Sequence, residues 1–274
     1  MALRMFLVAL AAMAISGAAA AAPEHVEIAN GNVTLQGTLY KPEGAGPFPA
    51  VVALHDCGGL VHRPMTEAQL YSQWAHVLVE AGFLVLLPDS FGSRGLGSQC
   101  RERDRKVRAS HERVADANAA RQWLRQQSYV RADHISLLGW SNGGTAALWA
   151  VRRTAAPLES ADFRSAVAFY PSCRRLREAA WSARVPTLIL IGSADDWTPA
   201  AACQQMVAGT RDRSAHVEIV VYPGAHHQFD RANAPVRLRT GLVNTVDPSG
   251  RAHGGTDPTA RNDALKRVPK FLAR

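Results

Sequence analysis

The feature that most constrains the fold is a G-x-S-x-G pattern formed by Gly139, Ser141 and Gly143. An apolar run, residues 135–138, precedes it, and a helix-forming run, residues 145–151, comes after it. In this context the pattern predicts a sharp strand-to-helix turn with the serine exposed at its tip. Such a serine takes strained backbone angles, and the glycines let the strand and the helix approach closely. Because a five-residue pattern also recurs by chance, its meaning depends on which residues lie at the ends of the later strands.

Apolar runs alternate with helix-forming segments along the chain. The predicted strands are residues 25–28, 33–40, 50–54, 83–87, 135–138, 165–169, 187–191 and 217–221. The predicted helices are residues 66–81, 107–127, 142–152, 199–208 and 257–272. Continuously apolar strands alternating with helices are typical of an α/β fold with a mostly parallel sheet and helices on both faces. Residues 231–256 have no clear period, and they either wrap over the site or lie on the surface.

The first 22 residues predict a secretory signal peptide. Arg4 precedes an apolar stretch at residues 6–15, and the alanines at 18–22 offer A-x-A cleavage sites near residues 20–22. The apolar stretch is short for a bilayer span, so an uncleaved anchor is the less favoured alternative. We therefore expect a periplasmic or secreted protein with no membrane span after signal removal. Residues 23–274 would form a single domain with a well-buried core.

Composition restricts the partners and cofactors. The chain of 274 residues has 47% hydrophobic and 20% charged residues, as an ordinary globular protein has. Much of its formal charge of +8 lies in the arginine-rich residues 94–113. A basic surface can attract acidic substrates, nucleic acid or anionic envelope components, and we interpret this one as a solvated basic face without a nucleic-acid partner. The four cysteines form no C-x-x-C, and their wide spacings do not resemble a zinc site. We expect no metal and no cofactor. An oxidising compartment would allow disulfides, and four cysteines permit three pairings.

Three polar residues follow predicted strands in an informative order. Ser141 follows the strand at 135–138, Asp195 the strand at 187–191, and His227 the strand at 217–221. Ligands bind beyond the carboxyl ends of parallel strands, so these side chains are expected to meet. Serine, then acid, then histidine is the chain order of the α/β-hydrolase fold. Asp196 and His226 are adjacent alternatives for the acid and the base.

The sequence resembles the dienelactone hydrolase family of α/β-hydrolases over roughly residues 33–272. The matching motifs are G-W-S-N-G-G at 139–144, G-S-A-D-D-W-T-P at 192–199 and Y-P-G-A-H-H-Q-F at 222–229. The resemblance selects His227 as the base and Asp195 as the acid. Asp196 is then expected to cap the helix that starts near residue 199.

The resemblance implies a serine hydrolase with defined roles. Ser141 would be the nucleophile, His227 the general base, and Asp195 the residue that orients the imidazole. The backbone N–H groups of Cys57 and Asn142 would form the oxyanion hole. His55 would belong to the scaffold of the Cys57 loop.

The substrate expected from the resemblance is a small ester or lactone. The name-giving enzymes of the family use a cysteine nucleophile, and the serine here favours a general esterase or lactonase over a dienelactone hydrolase. Arg94 and Arg101 are the best candidates for contacting a substrate carboxylate.

The usual strand order of this fold also implies a pairing of the cysteines. The third and fourth strands are neighbours, as are the sixth and seventh, so Cys57–Cys100 and Cys173–Cys203 are the expected bridges. Two functional alternatives stay open: a catalytically idle, envelope-binding protein of this fold, and a peptidase of the same fold. The sequence does not define the oligomeric state.

Overall fold

The computed structural model describes residues 22–62, 66–154, 162–210 and 213–274. Nearly all of the predicted signal peptide, residues 1–22, lies outside this part of the chain. Within the described ranges, none of the helices combines the length and the apolar character needed to cross a membrane.

Eight strands form the central sheet, in the order β1-β2-β6-β3-β7-β8-β9-β10. They are β1 (Glu24–Asn30), β2 (Val33–Tyr40), β3 (Phe48–Leu54), β6 (Leu84–Pro88), β7 (Val130–Trp140), β8 (Ala166–Phe169), β9 (Thr187–Gly192) and β10 (Val217–Tyr222). The six strands from β6 to β10 in this order pair in parallel, and β1 and β2 add an antiparallel edge. This is the mostly parallel α/β-hydrolase sheet that the sequence predicted.

The core of the sheet explains the continuous apolar runs. Every residue of β6, β8 and β9 is buried, so side chains on both faces of these strands are covered. The helices that cover them are α1 (Gln69–Glu80), α2 (Glu112–Arg125), α3 (Asn142–Ala150), α4 (Arg174–Glu178), α5 (Ala200–Ala208) and α6 (Pro258–Leu272). β10 is half-buried over most of its length because it lies at the sheet edge.

Two predicted helix starts were wrong. The helix expected from Thr66 begins at Gln69, because Thr66–Glu67 forms a short strand, β5, that pairs with β4 (Val61–His62). The helix expected from Val107 begins at Glu112. There the Glu112 carboxylate accepts the backbone N–H of Arg108 at 2.8 Å, and this turn precedes the helix.

Residues 231–256 wrap around the edge of the sheet where the predicted site lies, and we call them the strap. They contain two short antiparallel strands, β11 (Arg237–Arg239) and β12 (Ala252–Gly254). The strap is joined to the loop after β9 by a hydrogen bond from the Val246 N–H to the Asp196 carbonyl, and to the loop after β6 by one from the Val243 N–H to the Cys100 carbonyl. The sequence left open whether residues 231–256 wrap over the site or lie on the surface. The structure shows that they wrap over the site.

Candidate active site

Ser141 lies at the turn between β7 and α3, with φ 52° and ψ −111°. These angles are unusual for a residue other than glycine and hold the side chain out of the helix. A Cβ at Gly139 would collide with the Gly143 carbonyl, and one at Gly143 would collide with the Leu54 carbonyl at the end of β3. Both glycines are therefore needed because the strand, the helix and β3 meet without room for a methyl group.

The structure brings Ser141, His227 and Asp195 into one hydrogen-bonded row. Ser141 Oγ lies 2.9 Å from His227 Nε2, and Asp195 Oδ2 lies 2.8 Å from His227 Nδ1. The carboxylate can only accept, so it fixes the proton on Nδ1 and leaves the Nε2 lone pair facing the serine. His227 is fully buried, and Ser141 is 6% exposed.

The Asp195 carboxylate is held by donors other than histidine. Its Oδ1 accepts the backbone N–H groups of Trp197 at 3.0 Å and Thr198 at 2.7 Å. Thr198 Oγ1 lies 2.9 Å from Oδ2 and 3.0 Å from the Tyr170 carbonyl, and its single proton can serve one of them at a time. A buried carboxylate with several donors is satisfied without a cationic partner. Thr198 lies inside the motif at 192–199, but its role was not predicted, because it also depends on a contact with Tyr170, which is 28 positions away in the chain.

The two neighbouring alternatives contact other groups. His226 Nδ1 lies 2.9 Å from the Ala194 carbonyl, and Asp196 Oδ2 lies 2.8 Å from Nδ1 of His253 in the strap. The expectation that Asp196 caps helix α5 was wrong. That helix has no side-chain cap, because the Asp196 carboxylate is turned toward the strap, where it also accepts the His253 backbone N–H.

The expected oxyanion donors lie at the ends of neighbouring elements. Asn142 is the first residue of α3, where backbone N–H groups have no partner within the helix. Cys57 lies in the loop after β3, which contacts α3 at Gly143. Within the described ranges neither the Cys57 nor the Asn142 N–H donates to another residue. Their local geometry therefore leaves both N–H groups available for a ligand.

A buried arginine lies directly behind Asn142. Arg113 of α2 is fully buried, and its Nη1 donates to Asn142 Oδ1 at 2.8 Å. Burial lowers the pKa of Arg113 to about 10, although the Asp116 charge raises it. Its guanidinium lies over the Phe91 ring, 5.1 Å from the centroid. The expectation of a solvated basic face over residues 94–113 was wrong for Arg113, because its partners, Asn142 and Phe91, hold its side chain inside the fold.

The structure forms the disulfides Cys57–Cys100 and Cys173–Cys203. The first one joins the loops after β3 and β6 beside the site. Cys57 belongs to a small buried cluster with Trp197, in the loop after β9 that carries Asp195, and Ala252 of the strap. His55 holds the same loop, since the Ser90 N–H donates to its Nε2 and its Nδ1 lies 2.8 Å from the Asp56 carbonyl. Its contacts are those of a scaffold residue.

The two arginines expected to contact substrate differ in their surroundings. Arg94 donates two hydrogen bonds to the buried Asp116 carboxylate, at 2.9 and 2.7 Å, and one to the Ser90 carbonyl. Its guanidinium is thus occupied by the protein, which argues against a substrate contact. Arg101 is exposed and lies 3.5 Å from the Thr240 carbonyl of the strap.

Arg239 of β11 was missed by sequence reasoning. It is half-buried, and within the described ranges its side chain has no hydrogen bond or ion pair. Burial and then the charge of Arg231 lower its pKa, while the charge of Asp56 raises it. Arg239 is thus a cation near enough to Asp56, in the loop of the expected oxyanion hole, for their charges to interact, but among the described residues no carboxylate forms an ion pair with it. A signal in the sequence was lacking, because the strap has no periodic pattern.

Comparisons with known proteins identify the family of this chain. The sequence profile of the dienelactone hydrolase family matches residues 35–274. A Bradyrhizobium protein named "probable 2-oxo-3-(5-oxofuran-2-ylidene)propanoate lactonase" is 26% identical over 251 residues, which cover 82% of this chain and 92% of that protein.

Solved structures show the same fold. A dienelactone hydrolase-like promiscuous phosphotriesterase from metagenomic libraries superimposes with a TM-score of 0.70 at 18% identity, covering 92% of this chain and 97% of that one. Esterase 2 of Thermogutta terrifontis, phosphorylated by paraoxon, has a TM-score of 0.64 at 21% identity, covering 92% and 93%. The family match spans the whole sheet from β2 onward and every residue of the hydrogen-bonded row. The chain belongs to the dienelactone hydrolase family and is a hydrolase that acts on ester bonds.

Proposed function

We propose that this protein is an exported serine hydrolase that cleaves small carboxylic esters or lactones through an acyl-enzyme. The observation that carries the proposal is the row from Ser141 to His227 to Asp195, with contacts of 2.9 and 2.8 Å. A serine hydroxyl is a weak nucleophile at neutral pH, and a histidine within hydrogen-bond reach activates it.

The reaction can be derived from the positions of these groups. Ser141 Oγ attacks the ester carbonyl carbon while its proton passes to His227 Nε2. The resulting oxyanion accepts hydrogen bonds from the Cys57 and Asn142 N–H groups. When the C–O bond breaks, His227 gives its proton to the departing alcohol oxygen. A water molecule then attacks the acyl-enzyme, with His227 again taking the proton, and the acid leaves as Ser141 recovers its hydrogen.

Two features support this substrate class: the serine nucleophile and the positive charge of Arg239. Serine in place of the family's cysteine favours general esters and lactones over dienelactone. Arg239, which forms no ion pair within the described residues and lies near Asp56 of the Cys57 loop, favours substrates that carry a carboxylate. A carboxylated ester and its neutral isostere test this point. Arg239→Gln should raise KM for the carboxylated ester and leave the neutral one unchanged.

The decisive experiment is labelling with a fluorophosphonate probe, which reacts with an activated serine. We expect one label per chain on the wild type and none on Ser141→Ala. The same variant should lose roughly 10⁴–10⁶ in kcat/KM on p-nitrophenyl esters of varied chain length and on lactones.

Ser110→Ala is the matched control. Ser110 Oγ also lies within 2.8 Å of a histidine, Nδ1 of His111, but this pair lies away from the row that contains Asp195. The Ser110 variant should label and turn over as the wild type does. A folded wild type that never labels would contradict the proposal and favour the idle binding protein.

A further inference from the structure

A second cluster of chemically active side chains lies beside the hydrogen-bonded row. Asp196 follows β9, His226 follows β10 and His253 belongs to β12 of the strap. One potential ligand atom from each residue lies within 4.8 Å of those of the other two, and all three residues are half-buried. None of them takes part in the proposed reaction.

Existing hydrogen bonds hold the three residues in place. The Ala194 carbonyl can only accept, so the proton of neutral His226 is on Nδ1, 2.9 Å away, and Nε2 keeps its lone pair. A hydrogen bond of this kind to a backbone carbonyl is typical of histidines that bind metals. The Asp196 carboxylate is held by the His253 backbone N–H at 2.8 Å, and its other oxygen lies 2.8 Å from His253 Nδ1. The two imidazole rings are 5.3 Å apart.

We propose that Asp196, His226 and His253 form a binding site for a divalent transition-metal ion, with Zn²⁺ as the reference ion. Two imidazoles and one carboxylate are a ligand set that suits Zn²⁺ and leaves a fourth position for water. Ca²⁺ and Mg²⁺ prefer oxygen ligands, so the two histidines disfavour them. Binding would displace the proton shared by Asp196 and His253 and replace it with the ion.

The site would join three segments that carry or cover the catalytic residues. Asp196 is adjacent in sequence to Asp195, and His226 is adjacent to His227. His253 would add the strap, whose Gly255 N–H donates to the His227 carbonyl at 3.0 Å. A bound ion would therefore tether the strap to the loops that carry Asp195 and His227. Because the ion would bind the folded protein and not the unfolded chain, it would raise the free energy of unfolding.

The test uses the full oxidised chain without a histidine tag, treated with EDTA and then dialysed. Isothermal titration with ZnCl₂ should show one equivalent bound, and Co²⁺ should give the visible absorption of a four-coordinate site. His253→Ala and His226→Gln should each weaken Zn²⁺ binding by about 100-fold or more, since even the loss of a residue that only hydrogen-bonds a metal ligand typically costs about 10–100-fold. Zn²⁺ should raise the Tm of the wild type and leave the Tm of both variants unchanged.

His134→Ala provides the matched control. His134 Nδ1 lies 2.8 Å from the exposed Asp133 carboxylate, so this pair reproduces the Asp196–His253 contact. Among the residues that the structure describes, no second histidine joins this pair in a possible metal site. This variant should bind Zn²⁺ as the wild type does. Circular dichroism verifies that each variant is folded, so the outcome of this test does not depend on the test of esterase function. Absence of saturable binding, or equal affinity in wild type and both site variants, would overturn the proposal.

Discussion

At the scale of single residues, Asp230 connects the two aromatic neighbours of the proposed nucleophile and base. Its Oδ2 accepts the indole N–H groups of Trp74 and Trp140 at 2.8 and 2.9 Å, and its Oδ1 accepts the Tyr170 hydroxyl at 2.8 Å. Trp140 directly precedes Ser141, and the Tyr170 ring lies 4.5 Å from the His227 ring. Asp230 itself is 1% exposed, and burial raises its pKa despite these donors.

We therefore predict that Asp230→Asn destabilises the protein and slows turnover. The amide has one acceptor oxygen instead of two, so an N–H of the asparagine would face another donor. A buried unsatisfied group costs about 1–3 kcal/mol, which urea denaturation would measure. The pKa of the Asp230 carboxyl is higher in the folded protein than in the unfolded chain. The wild type therefore loses stability as the pH rises above the unfolded pKa of about 3.9. The stability difference between wild type and variant should thus be larger at pH 4 than at pH 8.

The matched control for this prediction is Asp263→Asn. Asp263 also accepts a tyrosine hydroxyl, that of Tyr222 at 2.7 Å, but it is partly exposed and paired with Arg267. Its substitution should change the free energy of unfolding by about 1 kcal/mol or less, as is usual for exposed pairs. Equal losses in the two variants would contradict a special role for Asp230.

Single residues also show how much of the site could be predicted from the sequence. Ser141, Asp195 and His227 stood out because each follows a strand within a recognisable motif. Asp230 did not, because its donor on Trp74 is 156 positions away in the chain. Contacts between residues so far apart in the chain form only in the folded protein, so the local sequence pattern does not predict them.

At the scale of elements, the two disulfides brace different parts of the same sheet edge. Cys57–Cys100 links the loops after β3 and β6, and Cys173–Cys203 links the segment after β8 to helix α5. Only the first bridge carries a proposed oxyanion donor. The Gln99 N–H donates to the Cys57 carbonyl at 2.7 Å, so a backbone hydrogen bond next to the bridge also holds the two loops together.

We predict that replacing either disulfide by two serines lowers the stability, but that only the loss of Cys57–Cys100 lowers the activity. The closed loops span 43 and 30 residues, so each bridge contributes at most about 4 kcal/mol in the chain-entropy model. Cys57→Ser with Cys100→Ser should also lower kcat by about tenfold or more. The backbone N–H of residue 57 is retained, but the freed loop would hold it less well in place, and the complete loss of an oxyanion donor costs about 10²–10³. Cys173→Ser with Cys203→Ser should leave kcat close to that of the wild type. Equal kcat values in both double variants would contradict this role of Cys57.

Sequence pattern predicted the sheet better than the loops and helix starts. The inner strands β6, β8 and β9 are buried on both faces, so their apolar runs can be recognised in the sequence without knowledge of the neighbouring strands. The strap strands β11 and β12 have three residues each, which is too short for a period. Their position depends on contacts with Asp196 and Cys100, which lie far away in the chain.

At the scale of the whole molecule, the two disulfides and the predicted leader point to the same compartment. Disulfides persist in oxidising environments and are rare in the reducing cytosol. Removal of residues 1–22 takes away Arg4 alone among the charged residues, so the formal charge falls from +8 by one to about +7. The mature protein would thus keep its basic surface wherever it is exported.

The export proposal predicts a defined mature protein. Expressed with its own N-terminus in a bacterial host, the protein should accumulate in the periplasm or medium with a new N-terminus near residues 21–23, as intact mass would show. A non-reducing peptide map should yield the 57–100 and 173–203 pairs. Residues 23–274 expressed in a reducing cytosol should carry free thiols and unfold at lower urea concentration, because both loop constraints are absent. An exported fraction that retains residues 1–22, or four free thiols in that fraction, would contradict the proposed localisation.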